Sequence, residues 1–209
     1  MTRIAILNYG MGNLRSVAKA LEHVGVEAEV TNDHSAARRT DGLILPGVGA
    51  FPKAMERVID TGLDELIRER CGAGVPVLGI CLGLQLLFES STELGGSRGL
   101  GLLDGEVTGI VAAGLKVPHI GWSPVEWERS SPLAKGINPG TPFYFVHSFA
   151  VRPRPDEVIA TAAHGERFAC AAQRENVFGV QFHPEKSSAA GLALLSNFAG
   201  ICAPAVATA

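Results

Sequence analysis

A chain of 209 residues, 46% hydrophobic and 19% charged, has the size and composition of one substantial globular core, which excludes a disordered or low-complexity protein. Eighteen lysines and arginines against 21 aspartates and glutamates leave a formal net charge of −3 with no block of like charge, which excludes a nucleic-acid surface. Apolar runs are too short to span a membrane, and MTRIAILNYG lacks the order of a signal peptide, so a cytoplasmic protein is expected.

Residues 4–7 form a short apolar run that predicts a first strand, punctuated by Asn8-Tyr9-Gly10-Met11-Gly12-Asn13. Leu14, Val17, Ala18, Leu21 and Val24 then recur at helical spacing, and Gly25 closes that helix. Strands follow at 28–30 and 42–45, the latter stopped by Pro46. Helices are expected over 54–59 and 63–69, a strand over 76–80 and a helix over 82–89. Short buried strands alternating with helices predict an α/β fold: a mostly parallel central sheet with helices on both faces. Strand-like pieces at 106–111, 143–146, 158–162, 168–172 and 177–181 predict hairpins and an edge of the main sheet. A final helix covers 188–198. One domain over 1–202 is expected, with 203–209 a frayed tail.

Gly10-x-Gly12 after the first strand lacks the third glycine of the dinucleotide pattern, because Arg15 stands there. The four cysteines (Cys71, Cys81, Cys170, Cys202) have neither zinc-motif nor disulfide-framework spacing. No metal or cofactor is expected. Three of these cysteines read as small buried hydrophobes.

Cys81 differs. It sits in Gly79-Ile80-Cys81-Leu82-Gly83, between a strand and a helix, with glycines at both flanking positions. A tight strand–turn–helix corner needs small neighbours and pushes its central side chain outward, as in the Gly-x-Ser-x-Gly elbow; the helix N-terminus favours a thiolate there. A core cysteine at a turn is the plainer alternative. A nucleophile needs an oriented base, and Gln181-Phe182-His183-Pro184-Glu185 supplies imidazole and carboxylate two residues apart at another strand end. Oxyanion donors are expected from Gly47, Val48 and Gly49, and from the N–H of Leu82. Gln85, one turn beyond Cys81, faces the same side and suits the polar end of a small amide; a solvent-facing helix residue is the plainer alternative.

Together these stretches resemble the class I, triad-type glutamine amidotransferases. Within them, Asn8–Val17, Pro46-Gly47-Val48-Gly49-Ala50-Phe51, Pro118-His119-Ile120-Gly121-Trp122, Tyr144-Phe145-Val146-His147-Ser148 and Lys186-Ser187 are similar to the branch serving histidine biosynthesis. The resemblance implies a Cys81–His183–Glu185 triad that hydrolyses L-glutamine through a glutamyl thioester. It implies that Gln85 and the backbone of Val146, His147 and Ser148 hold the substrate. It also implies a (β/α)8-barrel cyclase partner in a heterodimer, with Asn13, Trp122, Tyr144 and Lys186 at the interface where ammonia passes. A core role for Trp122 is the alternative. A valine at position 48 resists the strained orientation that would aim its N–H at an oxyanion, so the chain alone is expected to be nearly idle until a partner turns that peptide. Asn8, Ser123, Phe149 and Pro52-Lys53 depart from the usual pattern. Another triad glutaminase, for anthranilate, aminodeoxychorismate or pyridoxal-phosphate synthesis, is an alternative; so is a cysteine hydrolase with the same elbow.

Overall fold

The computed structural model describes residues 2–203. The first half runs β1 (Arg3–Leu7), α1 (Leu14–His23), β2 (Glu27–Thr31), α2 (His34–Arg38), β3 (Gly42–Gly47), α3 (Phe51–Asp60), α4 (Leu63–Gly72), β4 (Val77–Cys81) and α5 (Leu82–Leu86). The second half is strand-rich: β5 (Ser90–Ser91), β6 (Ser97–Arg98), β7 (Gly105–Gly109), β8 (His119–Trp127), β9 (Thr141–His147), β10 (Phe149–Pro153), β11 (Val158–His164), β12 (Glu166–Arg174) and β13 (Val177–Val180). Helix α6 (Ser188–Cys202) follows.

The order β2-β1-β3-β4-β13 is parallel throughout; β12, β10 and β7 extend it through antiparallel pairs. β8, β9 and β11 form an antiparallel ribbon joined to β12 through β11. Alternation along each parallel strand divides the core in two. Ile4, Ile6, Ile44, Leu78 and Ile80 face α1 and α6, meeting Val17, Leu21, Leu194, Leu195 and Phe198. Ala5, Leu7, Leu43, Leu45 and Val77 face the other way, against Phe51, Met55, Val58, Leu66 and Ile67 of α3 and α4. Helices therefore cover both faces, as the run of buried strands requires.

Several boundaries differ from expectation for physical reasons. β3 continues through Pro46 to Gly47, because a sheet position needing no N–H tolerates proline. α3 begins at Phe51 with Pro52 in its first turn, where the missing N–H would have had no helical partner. The helix after Cys81 has only five residues, Leu82–Leu86, rather than reaching residue 89. Its end is taken over from outside: Leu100 N donates to Leu86 O at 2.8 Å, and Leu102 N to Leu87 O at 2.8 Å. β8 and β10 escape the sequence reading, and α6 runs four residues beyond its expected end. Of the expected tail, residues 204–209 lie outside the described residues.

Candidate active site

β4 is flanked by β3 and β13, and its C-terminal end brings three chain segments level. Gly47 pairs with Cys81 on one side; on the other, Val180 pairs with Ile80, so the next residue, Gln181, stands beside Cys81. Ligand crevices form at this edge of an open parallel sheet.

Cys81 has φ 55° and ψ −111°, a backbone that non-glycine residues adopt only when their surroundings impose it. The surroundings here are the two glycines. A Cβ on Gly83 would lie 1.7 Å from Leu45 O, and one on Gly79 would lie 2.6 Å from Gly83 O. Close approach of α5 to β3 and β4 is what bends the chain at Cys81. Its sulfur is within 3.8 Å of Val146 O and 3.7 Å of Gln181 Nε2. The short α5 supplies a turn of N–H groups, less than the full helix expected.

His183 follows β13 and is almost wholly buried. Its Nδ1 lies 2.9 Å from Glu185 Oε1, which leaves Nε2 without a hydrogen-bond partner on the side of the cleft that Cys81 shares. Burial alone would lower the imidazole pKa. The adjacent Cys81 sulfur, and then Glu185, outweigh it and push the value up to about 9. A proton delivered to this ring is therefore kept at neutral pH. Asn13 Nδ2 approaches the same carboxylate oxygen at 3.4 Å.

Cys81 and His183 open onto a cleft of about 340 Å³ lined also by Val48, Gly49, Leu82, Gln85, Val146, His147 and Ser148. Six of these nine are expected from the residues themselves, and Val146, His147 and Ser148 from the family resemblance. Glu93, Pro118 and Phe149 complete the lining and were not singled out as site residues. Glu93 is the one carboxylate among the lining residues; its Oε2 accepts from Phe51 N at 2.8 Å, at the start of α3. Its surroundings, Ser-Ser-Thr-Glu-Leu, have ordinary loop composition, so no local pattern could have marked it.

Gly47 stands behind the cleft. Tyr9 Oη donates to Pro46 O at 2.7 Å, and a Cβ on Gly47 would lie 2.6 Å from that hydroxyl. Burial, and then the charge of Cys81, hold the Tyr9 hydroxyl well above the usual tyrosine range. Gln85 is buried rather than facing solvent; its Nε2 donates to Phe149 O at 3.1 Å and Gln181 Oε1 at 3.0 Å.

Trp122 is 51% exposed, which rules out the core reading for it. Its ring centroid is 6.0 Å from that of Tyr144 in an edge arrangement, and Lys186 Nζ sits 5.7 Å over the Tyr144 ring. Among the described residues, no cluster of three or more histidine, cysteine or acidic side chains is placed to hold a metal ion. No described helix is long and apolar enough to cross a membrane.

The profile of the glutamine amidotransferase class-I family matches residues 5–201. The imidazole glycerol phosphate synthase subunit HisH of Moorella thermoacetica is 54% identical over 199 residues, 95% of this chain and 94% of that one. The subunit of the same name from Aquifex aeolicus is 49% identical over 198 residues, covering 94% and 95%. Among solved structures, a glutamine amidotransferase superposes with a TM-score of 0.74 at 20% identity, over 94% of this chain and 98% of that one. PurLQS from Thermotoga maritima gives 0.74 at 20% identity, over 96% and 98%. At such identities these structures bear on the fold.

Proposed function

The chain belongs to the class-I glutamine amidotransferase family, and from that premise we propose that it is the glutaminase subunit of imidazole glycerol phosphate synthase, with Cys81, His183 and Glu185 as its triad. It hydrolyses L-glutamine to L-glutamate and ammonia for histidine biosynthesis. Cys81 Sγ attacks the side-chain amide carbon while His183 Nε2 takes the thiol proton. The tetrahedral intermediate collapses, the C–N bond breaks, and the imidazolium gives its proton to the departing nitrogen, which leaves as ammonia. Water, deprotonated by His183, then attacks the glutamyl thioester and releases glutamate and the free thiol. Glu185 fixes the ring with Nδ1–H toward itself, so that Nε2 faces the chemistry.

The N–H of Leu82 and a peptide of the Gly47-Val48-Gly49 stretch stabilise the oxyanion. Both hydrogens of the Gln85 amide are committed to Phe149 O and Gln181 Oε1, so the group it offers a substrate is its carbonyl oxygen. That acceptor and the Glu93 carboxylate suit the α-ammonium of glutamine. The backbone of Val146, His147 and Ser148 takes its carboxylate end.

Ammonia released into water is protonated and lost. The protein works with a partner, a (β/α)8-barrel cyclase that accepts the ammonia and forms imidazole glycerol phosphate and the aminoimidazole-carboxamide ribonucleotide. The exposed Trp122 with Tyr144 and Lys186, and Asn13 against Glu185, form the rim on which the barrel docks. Aromatic side chains bring apolar area and a polar handle to such a contact.

The observation that carries this reading is the meeting, in one cleft, of a strained Cys81 and a histidine oriented by a buried carboxylate. Its test is glutamate release by the chain mixed with the cyclase, with and without the cyclase substrate. Release that rises on mixing, and again with substrate, supports it; release unaffected by the cyclase overturns the partnership.

A further inference from the structure

Gln181 shows no exposed surface, and both ends of its amide are engaged beside the nucleophile. Its Oε1 lies 3.0 Å from Gln85 Nε2 and its Nε2 lies 3.7 Å from Cys81 Sγ. The orientation of the two amides follows from the fixed end of the chain. Phe149 O can only accept, so Gln85 must present its NH2 group there. The second hydrogen of that group reaches Gln181 Oε1, and Gln181 is left with its own NH2 toward the sulfur. Phe182, between Gln181 and His183, is buried in the core against Phe143 and Phe145. Just past the end of β13, residues 181 and 183 both come beside Cys81.

Val146 O also lies near the sulfur, at 3.8 Å. A carbonyl oxygen accepts from S–H but repels a thiolate. Gln181 does the reverse: a thiol sulfur is a weak acceptor, whereas a thiolate is charged and takes an N–H far more strongly. We propose that Gln181 is a catalytic residue, donating Nε2–H to Cys81 Sγ and favouring the thiolate as the thiol proton moves to His183. This inference deepens the glutaminase reading and rests on Cys81 as the nucleophile.

The titratable groups facing Cys81 are His183 with Glu185 behind it, Tyr9 from the loop after β1, His147 from β9 and Glu93 across the cleft. None of them is altered by replacing Gln181, so a change in the titration of Cys81 reports the amide. The test is the rate of Cys81 alkylation by iodoacetamide against pH on the isolated chain, with the modified cysteine identified by peptide mass. Removing the donor in Gln181→Met raises the midpoint by about one pH unit, a roughly tenfold loss of alkylation at neutral pH. With the cyclase present, kcat falls while KM for glutamine holds. Gln181→Glu keeps an acceptor for Gln85 and sets a carboxylate oxygen where the N–H was; it raises the midpoint further, and it serves where the methionine variant does not fold. An unshifted midpoint in a folded variant, with only Tm lowered, overturns the assignment. A shifted midpoint in a chain that releases no glutamate with the cyclase overturns the glutaminase reading and leaves the Gln181–sulfur contact standing.

Discussion

His119 Nδ1 lies 2.9 Å from His147 Nε2, and the two rings form a buried chain with one direction of hydrogen bonding. His147 Nδ1 must donate to Phe149 O, 2.8 Å away, so in the neutral ring its Nε2 accepts from His119. His119 Nε2 then accepts from the Ser123 hydroxyl at 2.9 Å. The chain pins the turn between β9 and β10 that lines the cleft, and it gives Ser123 a place as terminal donor.

That chain predicts acid sensitivity. Burial, and then the neighbouring His164, lower His119 to about 4; burial also lowers His147 to about 4. Each pKa is depressed below its unfolded value, so the unfolded state binds more protons between these values. Stability is therefore complete above about pH 6.5 and is lost as pH falls toward 4, by about 3 kcal/mol for the His147 ring. Tm measured from pH 7 to pH 4.5 should fall, and His119→Asn should remove part of that slope. An unchanged slope in the variant contradicts the assignment.

The elbow is held by steric necessity, so Gly83→Ala should fail. Its methyl group would lie 1.7 Å from Leu45 O, where backbone rather than a yielding side chain must move. A cost of at least about 3 kcal/mol is expected, lowering Tm by roughly 6–12 °C in a chain of this size. Calorimetry checks it. A variant as stable as the parent would mean that α5 does not sit against β3.

Val48 is 43% exposed at the cleft and is the one non-glycine residue of its three-residue stretch. Val48→Gly should release that peptide to turn without a partner. One oxyanion donor is worth about 10²–10³ in kcat, so partial recovery gives roughly a tenfold rise in glutamate release by the chain alone. Equal idleness in parent and variant would place the control elsewhere.

Trp122→Ala removes an exposed ring that supports no core. Tm should stay within about 1 °C, while association with the cyclase weakens roughly 30-fold, the loss of a 2 kcal/mol anchor. Titration calorimetry of the pair measures it. An unchanged Kd would remove Trp122 from the interface.

The parallel strands β1, β3, β4 and β13 were legible because each is a short apolar run, and because Pro46, the elbow and the His–Pro–Glu stretch mark strand ends. β8 was not: His119–Trp127 alternates buried and exposed residues around Gly121 and Pro124, which breaks the apolar run that a strand reading needs. The early end of α5 was equally hidden, since the groups that take its last carbonyls come from residues 100 and 102. The same limit applies to the cleft. Gln85 read correctly as a residue facing Cys81, yet its burial and its link to Gln181 depend on β10 and β13 arriving from far along the chain. Glu93 reaches the cleft through a loop whose path no local pattern encodes.

The most direct measurement is the mass of the chain acid-quenched during steady-state turnover of glutamine with the cyclase present. A glutamyl group should be found on the peptide carrying Cys81, and it should be absent from Cys81→Ser, which still binds the cyclase. Steady glutamate release with no adduct on that peptide, or undiminished release by Cys81→Ser, would contradict a thioester at this cysteine.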